Sequence, residues 1–334
     1  MTFRPPRTRF TPPAHPPTRQ PWRHRLTGLA LCGLLATSAG LLPARQAQAA
    51  DTYTQTRHPV VLVHGMLGFD AIGPVRYFYG IPEALRSGGA VVYTPSVSAL
   101  ASSEERGEQL LAILRQYKAA YGHTKFNLIG HSHGGPTIRY VAAVAPDLVA
   151  SVTTVGAPHQ GSAVADDIQR IGNQTGTTPW IASLVGSLGT LISWFSGSPQ
   201  LPQKPLDTLG SLNTAGAKDF NARFPQGAPS GSCGQGAALV NGVRYYSVGG
   251  TSVVTNILDP FDGVLGIASI SFKGEANDGL VSRCSSHWGQ VIRDDYPWNH
   301  GDEINQAFGL RGLFAPDPVQ FYRTQANRLK QQGL

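Results

Sequence analysis

Apolar residues along this chain follow two rhythms, and their alternation is the first clue to its architecture. Pro59-Val60-Val61-Leu62-Val63 is a continuous apolar, β-branched run ending in His64-Gly65. Such a run predicts a strand buried on both faces of a parallel sheet. Residues 90–93, 126–129, 149–155 and 245–248 predict further strands of the same kind. Between them, residues 103–121 set Leu110, Leu111, Leu114 and Tyr117 at helical spacing. Glu104 and Glu105 open that helix, where acidic charge suits the dipole. Residues 136–144 predict the next helix, and the apolar stretch 264–272 reads as one more strand. Strand and helix in alternation predict an α/β fold, with a mostly parallel central sheet and helices on both faces.

The stretch 161–225 interrupts this rhythm. Within it, large apolar residues at 181, 184, 185, 188, 191, 192 and 195 form a helical stripe from Trp180 to Phe195. The other side is Ser, Gly and Thr, and no charge occurs from Ile171 to Gln203. A surface helix normally carries Lys and Glu there. Two readings stand: a lid that opens at a lipid surface, or an ordinary helix packed in a cap.

The first fifty residues differ from the rest. Seven arginines precede or flank an apolar stretch from Leu26 to Leu42, which small residues follow up to Ala49-Ala50. A basic front, an apolar middle too short to span a bilayer and an A-x-A site predict a secretory signal peptide over 1–50. A retained anchor is the alternative. Leu31 before Cys32 speaks against a lipoprotein, which wants a small residue there. Without the leader the charge changes: the chain has 27 basic and 20 acidic residues, and seven arginines but no acid lie in the leader. The remainder, a single domain over 51–334, carries 20 of each, so no basic surplus marks a nucleic-acid partner. Its two cysteines, Cys233 and Cys284, favour one disulfide in an exported protein over two buried thiols.

Gly130-His131-Ser132-His133-Gly134 matches G-x-S-x-G between a predicted strand and a predicted helix. That context makes Ser132 a candidate nucleophile on a sharp turn, at a helix N-terminus that favours developing negative charge. Serine needs a base, and the base an orienting carboxylate; in this arrangement the chain order is Ser, acid, His. Of ten histidines, four follow Ser132. His133 lies in the motif, His159 follows a strand too closely to leave room for an acid before it, and His287, three residues from Cys284, reads as structural, so His300 is preferred. Asp278, at a turn beyond the run 264–272, is preferred as the acid over Asp259 and Asp262. The N–H groups of Met66, in the loop His64-Gly65-Met66-Leu67-Gly68, and of His133 are candidates for the oxyanion hole.

Val-His-Gly-Met at 63–66, Gly-His-Ser-His-Gly at 130–134, Asn-Asp-Gly-Leu-Val at 277–281 and Asn-His-Gly-Asp-Glu at 299–303 together resemble the bacterial true lipases of the Pseudomonas and Burkholderia type. The resemblance implies a triacylglycerol lipase with a mobile lid, exported to the medium through the periplasm and assisted by a membrane-bound foldase. It also implies a structural calcium held by Asp259, Asp302 and the carbonyls of Gln306 and Leu310, a set of hard oxygen ligands. The family disulfide maps to Cys233 and Cys284. Two departures are the longer, Arg- and Pro-rich leader and Gly301, where a larger residue is common. Within enzymes the rival is a short-chain esterase or polyester depolymerase with the same triad; outside them, a binding protein on this fold that has lost catalysis, or a membrane-anchored adhesin.

Overall fold

The computed structural model describes residues 51–66, 68, 71–72, 75–172, 201 and 203–334. The expected leader and the apolar helix 180–195 therefore lie outside the described residues. The strands are β1 (Val60–Val63), β2 (Ala71–Ile72), β3 (Val75–Arg76), β4 (Val92–Tyr93), β5 (Phe126–His131), β6 (Val149–Val155), β7 (Leu239–Val240), β8 (Val243–Gly250) and β9 (Gln290–Tyr296). The helices are α1 (Ile81–Ser87), α2 (Ser103–Tyr121), α3 (Gly134–Val144), α4 (Ala163–Gly172), α5 (Pro205–Leu212), α6 (Thr214–Arg223), α7 (Pro260–Ala268) and α8 (Pro318–Gln331).

Seven strands form one sheet in the order β4–β1–β5–β6–β8, parallel throughout. The outer edge of β8 is shared: β7 pairs antiparallel with its start and β9 parallel with the remainder. Every residue of β1, β5 and β6 is buried, as expected of strands covered on both faces. Successive side chains alternate between two apolar layers. Val61, Val63, Leu128 and Val152 pack with Leu110, Leu114 and Ile138 of α2 and α3, while Val60, Leu62, Ile129 and Val155 pack with Ile81, Leu85 and Tyr322 of α1 and α8.

Register decides where chemistry can gather. Val63 pairs with Gly130, and Gly130 with Thr154, so the loops after β1, β5 and β6 leave the sheet side by side at its carboxyl edge. Ligands of open α/β sheets bind at this edge. Helix α2 keeps the expected limits because both ends are capped: Ser102 Oγ accepts from Glu105 N–H, and Gly122 closes it at φ 72°.

One expected element is wrong. The stretch 264–272 is not a strand; it is helix α7 continued by a 3₁₀ turn over Ser269–Phe272. Asp259 caps α7 through Phe261 N–H, and Pro260 occupies its first turn, where a missing N–H costs nothing. Leu265, Ala268 and Phe272 then fall on one buried face, a helical spacing that apolar content alone had hidden. Asp278 still follows on a turn. Among the described residues, no helix is long and apolar enough to cross a membrane.

Candidate active site

Ser132 stands between β5 and α3 with φ 54°, in the left-handed region that costs a residue with a Cβ about 1–2 kcal/mol. The flanking glycines are sterically required. A Cβ on Gly130 would lie 2.3 Å from the Gly134 carbonyl oxygen, and one on Gly134 would lie 2.3 Å from that of Val63. The turn is fixed from both sides: Ser132 N–H donates to the Val155 carbonyl at 2.9 Å, and its own carbonyl accepts from Gly135 N–H at 2.9 Å. Helix α3 thus begins two residues earlier than expected, with His133 at its cap position.

The structure brings His300 and Asp278 together. His300 Nδ1 lies 2.8 Å from Asp278 Oδ2. Asp278 Oδ1 accepts the N–H groups of Leu280 and Val281, at 2.8 and 2.7 Å, and Asp278 is 1% exposed. The His300 ring centroid is 4.5 Å from that of His131, the residue before Ser132, which places the histidine loop beside the elbow. Trp298, fully buried and stacked on Tyr296, anchors that loop. Asn299 Oδ1 accepts from Gly301 and Asp302 N–H, and its Nδ2 donates to Asp262. Asp262 also accepts from Thr255 and Asn256 N–H, so this rival acid is a strut of the histidine loop. His287 bonds the Gly234 carbonyl and Asp294 instead.

The loop after β1 closes on the nucleophile: a Cβ on Gly65 would lie 2.7 Å from Ser132 Cβ. Met66 and Ser132 line one apolar cavity, together with residues of α4, α5 and the turn after Asp278. Two buried polar assemblies hold this loop, and neither was read from the sequence. Arg106 of α2, fully buried, donates to the carbonyls of His64 and Ser98 and to Thr137 Oγ1. Thr137 Oγ1 in turn donates to the His133 carbonyl. One guanidinium therefore ties the loop of Met66 to the helix start of His133. Burial pulls its pKa down to about 9. Arg106→Met would leave three buried acceptors short of a donor, and is expected to lower unfolding free energy by about 2–4 kcal/mol in denaturant titrations. A change within error would remove Arg106 from the frame of the loop.

In the second assembly, Gly65 N–H donates to Tyr77 Oη, which lies 2.7 Å from His131 Nδ1. His131 Nε2 lies 3.2 Å from Glu303 Oε2, and Gly250 N–H donates to Glu303 Oε1. Burial pushes Glu303 well above the carboxylate range and His131 well below the usual imidazole. The ligand atoms of His131, His300 and Glu303 lie within 4.8 Å of one another. Nδ1 of His131 and Nδ1 of His300 are engaged by Tyr77 and Asp278, while His131 Nε2 and Glu303 Oε2 face each other at 3.2 Å without a hydrogen bond; a cation on His300 there would take the candidate base from Ser132.

The calcium positions offer oxygen atoms alone. Asp259 Oδ2 and Asp302 Oδ1 are buried with no hydrogen-bond partner among the described residues. Burial pushes Asp259 up to about 6 and Asp302 up to about 7, the charge of Asp259 adding to the latter. Two orphaned buried carboxylate oxygens fit a cation, since a buried charge is costly until paired. Gln306 and Leu310 follow Asp302 on the same loop and flank a 3₁₀ turn over Ala307–Gly309. Cys233 and Cys284 form the disulfide, which staples the 225–240 loop six residues beyond Asp278.

Known proteins share this fold. A family described as alpha/beta hydrolase fold matches residues 58–247. A triacylglycerol lipase of Vibrio cholerae is 52% identical over 90% of this chain and 96% of its own length. One of Burkholderia plantarii is 47% identical over 90% of this chain and 94% of its own. Among solved structures, the lipase of Staphylococcus hyicus shares the fold with a TM-score of 0.57 and 21% identity, over 83% of this chain and 97% of that one. A strained serine between parallel strand and helix, an Asp–His pair beside it, and relatives matched nearly end to end lead to one assignment: this chain belongs to the triacylglycerol lipase family of the α/β-hydrolase fold.

Proposed function

We propose that this protein hydrolyses the ester bonds of triacylglycerols at a lipid–water surface, through Ser132, His300 and Asp278. The observation that carries this reading is the strained Ser132 beside the buried His300–Asp278 pair. In the reaction, His300 Nε2 takes the proton of Ser132 Oγ as that oxygen attacks the ester carbonyl carbon. The N–H groups of Met66 and His133 receive the charge that develops on the carbonyl oxygen. His300 then gives its proton to the departing alcohol, and water, deprotonated by His300, attacks the acyl-serine and releases the fatty acid. The experiment is hydrolysis of an emulsified long-chain triacylglycerol beside a soluble short-chain ester. Strong emulsion activity supports the lipase reading, with a helix over 180–195 acting as a lid. Activity on the soluble ester alone would make the protein an esterase and that helix an ordinary cap.

Asp259 and Asp302, with the carbonyls of Gln306 and Leu310, are the residues that would hold calcium. The ion would supply charge neutralisation to Asp259 and to Asp302, the latter two residues from His300, and no proton transfer runs through it. Chelation is therefore expected to lower the melting temperature by about 5–10 °C, with recovery on added calcium. Unchanged melting under strong chelation would remove calcium from the account. The leader over 1–50 is proposed to direct export through the periplasm, with cleavage after Ala49 or Ala50. A membrane-bound foldase is the expected assistant; the family resemblance supports it.

A further inference from the structure

We infer that Ser162 is a positioning residue for the catalytic acid, linking the wall of the apolar cavity to the triad; the inference rests on the roles proposed for Ser132, Asp278 and His300. Ser162 lies just before α4, is 7% exposed, and shares the cavity lining with Ser132, Leu280 and Val281. Its Oγ donates to the Leu280 carbonyl at 2.6 Å. That carbonyl belongs to the same peptide unit as Val281 N–H, which donates to Asp278 Oδ1 at 2.7 Å. In a trans peptide the two groups point in opposite directions, so a single rigid plane stands between Ser162 and Asp278.

Fixing the carbonyl fixes the direction of the N–H. Polarising the carbonyl also strengthens the bond made by the N–H. The chain runs from the Ser162 hydroxyl through the 280–281 peptide to Asp278 Oδ1, and from Asp278 Oδ2 to His300 Nδ1. Ser162 is itself held: its N–H donates to the carbonyl of Leu212, the last residue of α5, and its carbonyl accepts from Asp166 N–H in α4. Two helices of the 161–225 insertion are thus tied to the carboxylate that orients the base. None of this is visible in the sequence, where Ser162 is one of many serines.

The test compares two variants of one shape. Ser162→Thr keeps the hydroxyl; Ser162→Val replaces it with a methyl. On a soluble acetate ester, whose acyl group is too short to probe the cavity, the Val variant is expected to lose kcat about three- to tenfold. KM should stay within about twofold, and the Thr variant should regain kcat. Ser162→Ala, which removes bulk as well, should share the loss of kcat with Val. Melting temperatures measured alongside show that each variant is folded. Labelling of wild-type Ser132 by an active-serine phosphonate is scored first. With labelling intact, equal kcat for Thr and Val, or a loss carried by KM, overturns the Ser162 assignment alone. No labelling would overturn the nucleophile reading and this inference with it.

Discussion

Replacing Ser132 with Ala is expected to cut ester turnover by about 10⁴–10⁶-fold, on the emulsion and on the soluble ester alike. The size follows from what the substitution leaves. His300, Asp278 and the N–H groups proposed for the oxyanion hole stay in place, but the covalent route is gone, and a base with no hydroxyl to activate contributes little. Stability should hardly move. The backbone bonds of residue 132, to Val155 and from Gly135, involve no side-chain atom. An Ala there carries the same Cβ at the same φ of 54°, so the strain of the turn remains. Released fatty acid, titrated at constant pH, measures the effect. Retention of more than a few per cent of wild-type turnover would show that the nucleophile is another residue.

How much of this was legible in the sequence depended on the range of the forces involved. The elbow was legible because its pattern is local, strand, G-x-S-x-G and helix in sequence; of its two glycines, Gly130 answers a clash within the turn and Gly134 one with Val63 of β1. Chain order, which this fold imposes, singles out Asp278 and His300, and the structure brings those two side chains within 2.8 Å. The strand expected at 264–272 failed because apolar content was read without its start signal, although Asp259 and Pro260 supply a cap and a first turn. Strand β9 escaped notice because it is a half-exposed edge that includes Arg293, Asp294 and Asp295. Arg106, Tyr77, His131 and Glu303 could not have been found. Arg106 sits on the buried face of an otherwise amphipathic helix, and its acceptors are 8, 31 and 42 residues away. Glu303 lies within Asn-His-Gly-Asp-Glu, yet its partners His131 and Gly250 are brought to it only by the sheet. A sequence marks a polar residue as polar; which ones the core encloses is decided by tertiary packing.

Asp278→Asn is expected to lower kcat by about 10⁴-fold while leaving the protein folded, and the hydrogen bonds around residue 278 give the reason. Oδ1 accepts two N–H groups, from Leu280 and Val281, so an Asn must place its carbonyl oxygen there. Its amide NH₂ then faces His300 Nδ1, 2.8 Å away in the wild type. Two donors cannot share that contact. His300 must shed the proton from Nδ1 and carry it on Nε2, which turns the base into a donor toward Ser132. The alternative amide orientation fails as well, because it sets NH₂ against two peptide N–H groups in a site that is 1% exposed. The wrong tautomer is therefore enforced by backbone geometry. Because the oxyanion loop is untouched, substrate affinity should change little, and the loss should fall on kcat with KM nearly constant. A variant that keeps a tenth of wild-type kcat would mean that Asp278 is a structural partner of His300 and that another carboxylate orients the base.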